Sequence, residues 1–224
     1  SLLSATMPNP KMKDVSETNA ALRRLLQNVC DIQIHPIPLD RLRLVTFVDS
    51  SLGNCPDGGS QNAHMVCAAD KSINEGKEAD ISILTYKSHK MARVASATLM
   101  VEANAMSEGL AESEWVCTWI GLARDYTYDM RKRNLLNREF EVQTVMSDTN
   151  KDLHSVVTDA KSLFDNAIRE QYSKAEKRAA LEVSVIRDSL RSLGGTCRWV
   201  PHEQNPVDCL TKIKGNAARL MQLM

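Results

Sequence analysis

The chain has 224 residues, and its 28 basic and 28 acidic residues cancel. Net charge therefore gives no argument for binding to nucleic acid, which would require a local cluster of basic residues. With 43% hydrophobic and 25% charged residues, the composition is ordinary for a globular protein, and the length suits one domain with an appendage. No apolar run approaches the roughly 20 residues that span a membrane, so we expect no membrane partner.

Several kinds of chemistry have no sequence pattern here. The six cysteines form no CxxC pair and no zinc-ligand spacing, and we interpret them as reduced, mostly buried thiols of an intracellular protein. The sequence also lacks a Gly-rich phosphate loop and a Ser/His/Asp arrangement, so we expect no small-molecule cofactor. Because the chain opens on Ser1 rather than Met, we expect it to be part of a longer protein.

Residues 1–40 are predicted to be an appendage. Apolar residues recur at helical spacing from residue 16 to about residue 29, which predicts an amphipathic helix there. An extended link interrupted by proline follows at residues 32–38.

The first strand is predicted at residues 42–49 and ends at Asp49, beside a loop rich in Gly, Asn and Pro. A carboxylate in this position is a common metal ligand, although Asp also favours turns without any metal. Two further strands, at residues 61–69 and 79–86, follow closely and indicate an antiparallel meander. The connector after them, residues 87–93, carries three cations: Lys87, Lys90 and Arg93.

A long helix is predicted at residues 96–126, with Glu102 towards its apolar side. The neighbours of Glu102 on the helix surface include Leu99 and Met106. Burying an unpaired carboxylate is costly, so a buried Glu102 would require a cation or a metal. The alternative is that its side chain reaches solvent at the edge of the apolar stripe.

Two more acids occur in similar contexts. Asp159 ends a predicted strand at residues 153–159 and precedes a helix, so it suits either a ligand or an N-cap. Asp208 falls in the first turn of a closing helix, where an acid also interacts favourably with the helix dipole. Asp148 is a rival to Asp159, in a polar segment where a strand is expected at residues 140–146.

The predicted order of elements is β-β-β-α-β-α-α-β-α, with a helix at residues 173–193 and a short strand at residues 196–200. Strand ends and helix starts that carry acids would then converge at one end of a mixed sheet. Each acid has an ordinary structural explanation when it is taken singly. Their joint occurrence favours a shared site.

Four pieces of the chain carry a family resemblance. Residues 47–54 combine a strand, an acid and a glycine-containing loop, and residues 81–102 combine a strand, a basic connector and a Ser/Thr-led helix with an acid. Residues 157–163 read Val-Thr-Asp-Ala-Lys-Ser-Leu, and residues 199–212 read Trp-Val-Pro-His-Glu-Gln-Asn-Pro-Val-Asp-Cys-Leu-Thr-Lys. Together they resemble the ribonuclease H domain of copia-type LTR retrotransposon polyproteins, over residues 41–213.

The last piece is the most specific, because it resembles the family ending Val-Pro…Ala-Asp-x-(Leu/Phe)-Thr-Lys. The chain departs from the family in a divergent second strand and at Ala160, where the family signature Asp-Asn-x-(Ser/Ala) has Asn. His202 resembles the mobile histidine of cellular ribonucleases H, but it lies close in sequence to Asp208. We expect His202 to be a loop residue, and the alternative is a role in product release or proton transfer.

The resemblance implies an α/β fold of the ribonuclease H-like type, with a mixed five-stranded sheet flanked by helices. It also implies a site for two Mg²⁺ ions, for which Mn²⁺ can substitute, roughly 4 Å apart. The ions would activate water and stabilise the leaving 3′ oxygen. The implied catalytic and metal-binding residues are Asp49, Glu102, Asp159 and Asp208. The residues expected to contact phosphate are Lys87, Lys90, Arg93 and Lys212.

The implied activity is cleavage of the RNA strand of RNA/DNA hybrids, with the reverse-transcriptase domain of the same polyprotein as a partner. Residues 1–40 would be the tail of the preceding reverse-transcriptase connection, and residues 214–224 a C-terminal tail. We expect an intracellular location, either cytoplasmic in a virus-like particle or nuclear. Three alternatives stay open: an inactive relic acting as a scaffold or nucleic-acid-binding module, a related integrase or resolvase, and a plain α/β binding protein.

Overall fold

The computed structural model describes residues 9–27, 31–124, 154–169, 177–192, 194–212, 215 and 217–224. The predicted strand at residues 140–146 and the rival acid Asp148 lie outside this part of the chain.

Five strands form one mixed sheet, which confirms the predicted α/β class. The strands are β1 (Leu42–Ser51), β2 (Gln61–Asp70), β3 (Ile81–Lys90), β4 (His154–Thr158) and β5 (Gly195–Trp199). Their order in the sheet is β3-β2-β1-β4-β5. β2 runs antiparallel to β1 and β3, whereas β4 runs parallel to both β1 and β5. This order and these directions are those of a ribonuclease H-like fold.

The basic run from Lys87 to Lys90 is not the connector that the sequence predicts. It forms the last four residues of β3, which pairs with the start of β2 as far as Lys90. Charged residues at an exposed sheet edge are common because they discourage pairing with other chains, and β3 is the outer strand on this side. Residues 87–90 therefore continue β3 instead of forming a connector after it.

The part of the chain that the structure describes contains six α-helices. They are α1 (Met12–Gln27), α2 (Thr98–Arg124), α3 (Lys161–Ile168), α4 (Lys177–Ser192), α5 (Asp208–Thr211) and α6 (Ala218–Gln222). The first, α1, buries none of its residues. None of the described helices is long and apolar enough to cross a membrane.

Alternation along β1 divides the core into two faces. Val48 belongs to a buried cluster with Met106 of α2, Leu163 of α3 and Ile186 of α4. Phe47 packs on the opposite face, so successive residues of β1 serve different cores.

The second face is covered by the C-terminal part of the chain. Val207 is fully buried there with Met65 of β2, and Leu220 and Leu223 pack against the same cluster. Leu220 and Leu223 belong to the segment predicted as a separate tail, residues 214–224. Their side chains therefore cover part of the sheet. The domain limits themselves stay a prediction.

The long helix α2 approaches β1 very closely at Gly109. A Cβ atom on this residue would lie 2.7 Å from Val48 Cγ1 and 3.2 Å from Thr46 Cγ2. Glycine inside a helix costs about 1 kcal/mol relative to alanine, and the close packing explains its presence. Because Glu102 lies about two turns earlier on the same helix, this contact also helps to position Glu102 over the end of β1.

We expect Gly109→Ala to lower the free energy of unfolding by about 1–3 kcal/mol, because the added methyl group overlaps Val48 and Thr46. Urea denaturation followed by circular dichroism measures the change. Ala111→Gly, at an exposed position of the same helix, is the control and should cost about 1 kcal/mol through helix propensity alone. A Gly109→Ala protein as stable as the wild type would contradict the close approach.

Candidate active site

The four predicted acids lie on elements that converge at one edge of the sheet. Asp49 is two residues from the end of β1, and Asp159 directly follows the end of β4. Because β1 and β4 are parallel neighbours, these two ends meet at the same edge. Asp208 begins α5, and Glu102 lies near the start of α2.

All four carboxylates are largely removed from solvent. The residues Asp49, Glu102 and Asp208 are 3%, 6% and 6% exposed, and the side chain of Asp159 is 9% exposed. Burying a carboxylate is costly unless a proton, a cation or hydrogen bonds compensate its charge. The compensating groups therefore define the chemistry of this edge.

His202 lies between two of the acids. Its Nδ1 is 2.9 Å from Asp159 Oδ2 and 3.1 Å from Asp208 Oδ1. The hydrogen bond to Asp159 raises the pKa of His202 above its usual value, against the nearby Lys212 ammonium, which lowers it. Lys212 Nζ contacts the same Asp208 Oδ1 and lies 3.1 Å from His202 Nε2.

Two polar residues tie α5 to the end of β1. Thr211 Oγ1 donates a hydrogen bond to Asp49 Oδ2, and Asn205 Nδ2 donates to the Val48 carbonyl at 3.0 Å. Since α5 carries Asp208 at its start, these bonds hold Asp208 beside Asp49.

Burial shifts the protonation of two of the acids. It raises the pKa of Asp49 from 3.8 to about 6, against the hydrogen bond from Thr211, which lowers it. Burial also raises the pKa of Glu102 from 4.5 to about 8, and the negative charge of Asp49 adds to this effect. Without a bound cation, Glu102 therefore retains its proton near neutral pH.

The donors at this edge fit a divalent metal. Mg²⁺ and Mn²⁺ prefer carboxylate oxygens. One ligand atom from each of Asp159, His202 and Asp208 lies within 4.8 Å of the other two. Glu102 Oε2 is buried and has no hydrogen-bond partner among the described residues, and a bound cation would compensate it.

The structure tests the N-cap explanation for Asp159 and the helix-dipole explanation for Asp208. Asp159 does not cap the following helix, because the N-cap of α3 is Ala160 and no side chain accepts a hydrogen bond there. The carboxylate of Asp159 contacts His202 instead. Asp208 does lie in the first turn of α5, so an interaction with the helix dipole is compatible with its place in the cluster.

Two of the three basic residues predicted on the connector are paired with other acids. Lys90 Nζ contacts Asp57, and Arg93 Nη1 lies 3.1 Å from Glu182 Oε1. The third, Lys87, is exposed near the end of β3. Their role as phosphate contacts stays a prediction, as does that of Lys212.

Sequence reasoning missed the importance of two residues. His202, expected as a loop residue, does lie in a short turn (His202–Gln204), but its ring contacts two acids. Thr211 is absent from the predicted site, yet its hydroxyl contacts Asp49. It lies three residues after Asp208, a spacing that places the two residues on one side of a helical turn, and this spacing could have drawn attention to it.

The strand order, the strand directions and the carboxylates at the sheet edge define an α/β protein of the ribonuclease H-like fold class. No protein-family model and no curated protein matches the chain. The fold class rests on the topology of this chain.

Solved structures of ribonuclease H domains are similar to the chain at low identity. The N-terminal RNase H domain of a Mycobacterium tuberculosis protein, fused to maltose-binding protein, is 17% identical, with a TM-score of 0.45 over 76% of this chain and 91% of that one. RNase H1 of the archaeon Halobacterium salinarum is 13% identical, with a TM-score of 0.43 over 73% and 89%. A foamy viral protease–reverse transcriptase in complex with RNA/DNA hybrid is 12% identical, with a TM-score of 0.43 over 84% and 21%.

We expect Glu102→Gln to flatten the pH dependence of stability in the absence of metal. The folded wild type binds the Glu102 proton more tightly than the unfolded chain does. Its free energy of unfolding therefore falls between pH 4.5 and about 8, by at most about 1.4 kcal/mol per pH unit. The variant lacks this carboxyl and avoids the part of the fall that Glu102 causes, while Asp49 and His202, whose pKa values are also raised, still contribute their own.

Urea denaturation in EDTA at pH 5, 6, 7, 8 and 9 tests this expectation. Glu78→Gln, which removes an exposed carboxyl, is the control and should follow the wild type. If Glu102→Gln lost stability between pH 6 and 8 as steeply as the wild type, the burial of a protonated Glu102 would be wrong.

We expect Thr211→Val to weaken Mn²⁺ binding by about 10- to 100-fold, because Asp49 loses the hydroxyl that orients it. Thr211→Ser keeps the hydroxyl and should bind as the wild type does. Titration followed by electron paramagnetic resonance measures the free ion, and circular dichroism checks that both variants are folded. Equal affinities of the Val and Ser variants would rule out an orienting role.

Proposed function

We propose that the chain is a metal-dependent endonuclease that cleaves the RNA strand of RNA/DNA hybrids. The observation that supports this proposal most directly is the set of four largely buried carboxylates on elements that meet at one sheet edge. Ligand atoms of two of them, Asp159 and Asp208, lie within 4.8 Å of each other. Gathering them costs stability through desolvation and mutual repulsion. A site that maintains such a cost is a candidate for function.

The four acids would hold the catalytic ions, which we propose to be two Mg²⁺ ions with Mn²⁺ as a substitute. When bound, such ions activate a water molecule and stabilise the leaving 3′ oxygen of a phosphodiester. Neighbouring residues of the chain hold these acids in place. Thr211 orients Asp49, Asn205 fixes α5 on β1, and burial keeps Glu102 out of bulk water.

The proposed substrate class follows from the sequence resemblance, which is most specific at residues 199–212. Hybrid recognition depends on helix shape, phosphates and 2′-hydroxyl groups rather than on base sequence. The cations proposed to contact phosphate are Lys87, Lys90, Arg93 and Lys212. Exposed ion pairs such as Arg93 with Glu182 stabilise the protein little, so exchanging them for phosphate contacts costs little.

The same resemblance supports a proposed biological context. We propose a retrotransposon Pol polyprotein of the copia type, with the reverse-transcriptase domain as the partner that positions the hybrid. Residues 1–40 would link the two domains, and the exposed helix α1 lies in this segment. The location would be intracellular, in the cytoplasm within a virus-like particle or in the nucleus.

Cleavage of a labelled RNA/DNA hybrid tests the proposed function. We expect loss of the RNA strand with Mg²⁺ or Mn²⁺ and none with EDTA. Asp49→Asn and Asp208→Asn should each lower the rate by about a hundredfold or more, because each removes a metal ligand worth several kcal/mol. Glu78→Gln, at an exposed acid outside the cluster, is the matched control and should cleave normally.

Two further outcomes distinguish the alternatives. Cleavage of a DNA duplex in preference to the hybrid would favour an integrase or resolvase. Absence of cleavage in a folded protein that still binds Mn²⁺, repeated with the reverse-transcriptase domain present, would favour an inactive scaffold or nucleic-acid-binding module.

A further inference from the structure

The ammonium group of Lys212 lies inside the acidic cluster. Its Nζ contacts Asp208 Oδ1 and lies 3.1 Å from His202 Nε2. Lys212 directly follows α5, four residues after Asp208, and this spacing brings the two side chains together. The Asp208 side chain is 8% exposed and that of Lys212 is 39% exposed, so one partner is buried while the other retains a route to solvent.

This position places Lys212 in competition with any metal ion that Asp208 binds. The oxygen that Lys212 contacts, Asp208 Oδ1, is also the one that lies 3.1 Å from His202 Nδ1. Two cations within about 4 Å repel each other by about 1 kcal/mol in water and by more where solvent is partly excluded. A metal ion on this oxygen therefore favours movement of the ammonium group away from it.

The lysine side chain is suited to such a movement. Its ammonium is a compact charge on a flexible four-carbon stem, and Lys212 is the more exposed member of its pair. An arginine in the same place would hold the carboxylate in a more rigid, forked geometry.

We propose that Lys212 is a displaceable internal cation. In the metal-free protein it neutralises Asp208, and metal binding displaces its ammonium group, which then contacts a phosphate of the bound nucleic acid. The displacement concerns metal binding alone, whereas the phosphate contact rests on the proposed nuclease function. Lys212 is then available to substrate only in the metal-loaded form.

Mn²⁺ titration without nucleic acid tests the displacement. We expect Lys212→Met to bind Mn²⁺ about fivefold or more tightly than the wild type, because the competing charge is gone. Lys212→Arg keeps the charge and should not gain affinity. The matched control is Lys77→Met, which removes an exposed lysine paired with Glu75 and should leave affinity unchanged. Unchanged or weaker binding by a folded Lys212→Met protein would overturn the proposal.

The phosphate contact is tested by the salt dependence of hybrid binding, measured by stopped-flow fluorescence anisotropy before cleavage. With Mn²⁺ present, Lys212→Met should reduce the slope of log affinity against log salt by about one. In EDTA the slope should match the wild type, because Lys212 is then held by Asp208. An equal loss of slope in both conditions, or no loss with Mn²⁺, would overturn this part.

Failure of the proposed function has a separate signature. If Asp49→Asn bound Mn²⁺ as tightly as the wild type, the four acids would not form the proposed metal site. A gain of Mn²⁺ affinity in Lys212→Met together with no hybrid cleavage would support the displacement and reject the nuclease.

Discussion

The structure of this protein depends on holding four carboxylates together against desolvation and their own repulsion. Two come from the ends of adjacent parallel strands, β1 and β4, so sheet pairing brings them to one edge without a flexible loop. Glu102 comes from the long helix α2, whose distance from β1 is set by the absence of a side chain at Gly109. Rigid elements of this kind keep like charges close where mobile ones would separate.

Asp208 is held by apolar packing on both sides of it. Its helix, α5, has only four residues, and a helix of that length has no independent stability. Val207 before it is fully buried in the second core, and Leu210 packs against the same cluster. The C-terminal residues Leu220 and Leu223 complete this cover. The second face of the sheet therefore contributes directly to the site, by anchoring the element that carries one of its acids.

Three kinds of compensation act on the cluster in the absence of a metal. Burial keeps a proton on Glu102, with a pKa of about 8. Lys212 supplies positive charge beside Asp208, and Thr211 supplies a hydrogen bond to Asp49. The protonation of this edge, its lysine contact and the proposed metal binding are thus coupled through charge.

The amino-acid sequence by itself predicted the order of the described elements, although not the continuation of β3 to Lys90, and it singled out the four acids. Period-two alternation assigned the faces of β1, and helical spacing placed Glu102 towards the core, because these patterns depend only on neighbouring residues. The partners of those acids were decided by tertiary structure alone. Thr211 meets Asp49 across 162 positions in sequence, and His202 reaches Asp159 across 43. Such pairs depend on the strand order, the register and the packing of α5, which no local pattern encodes.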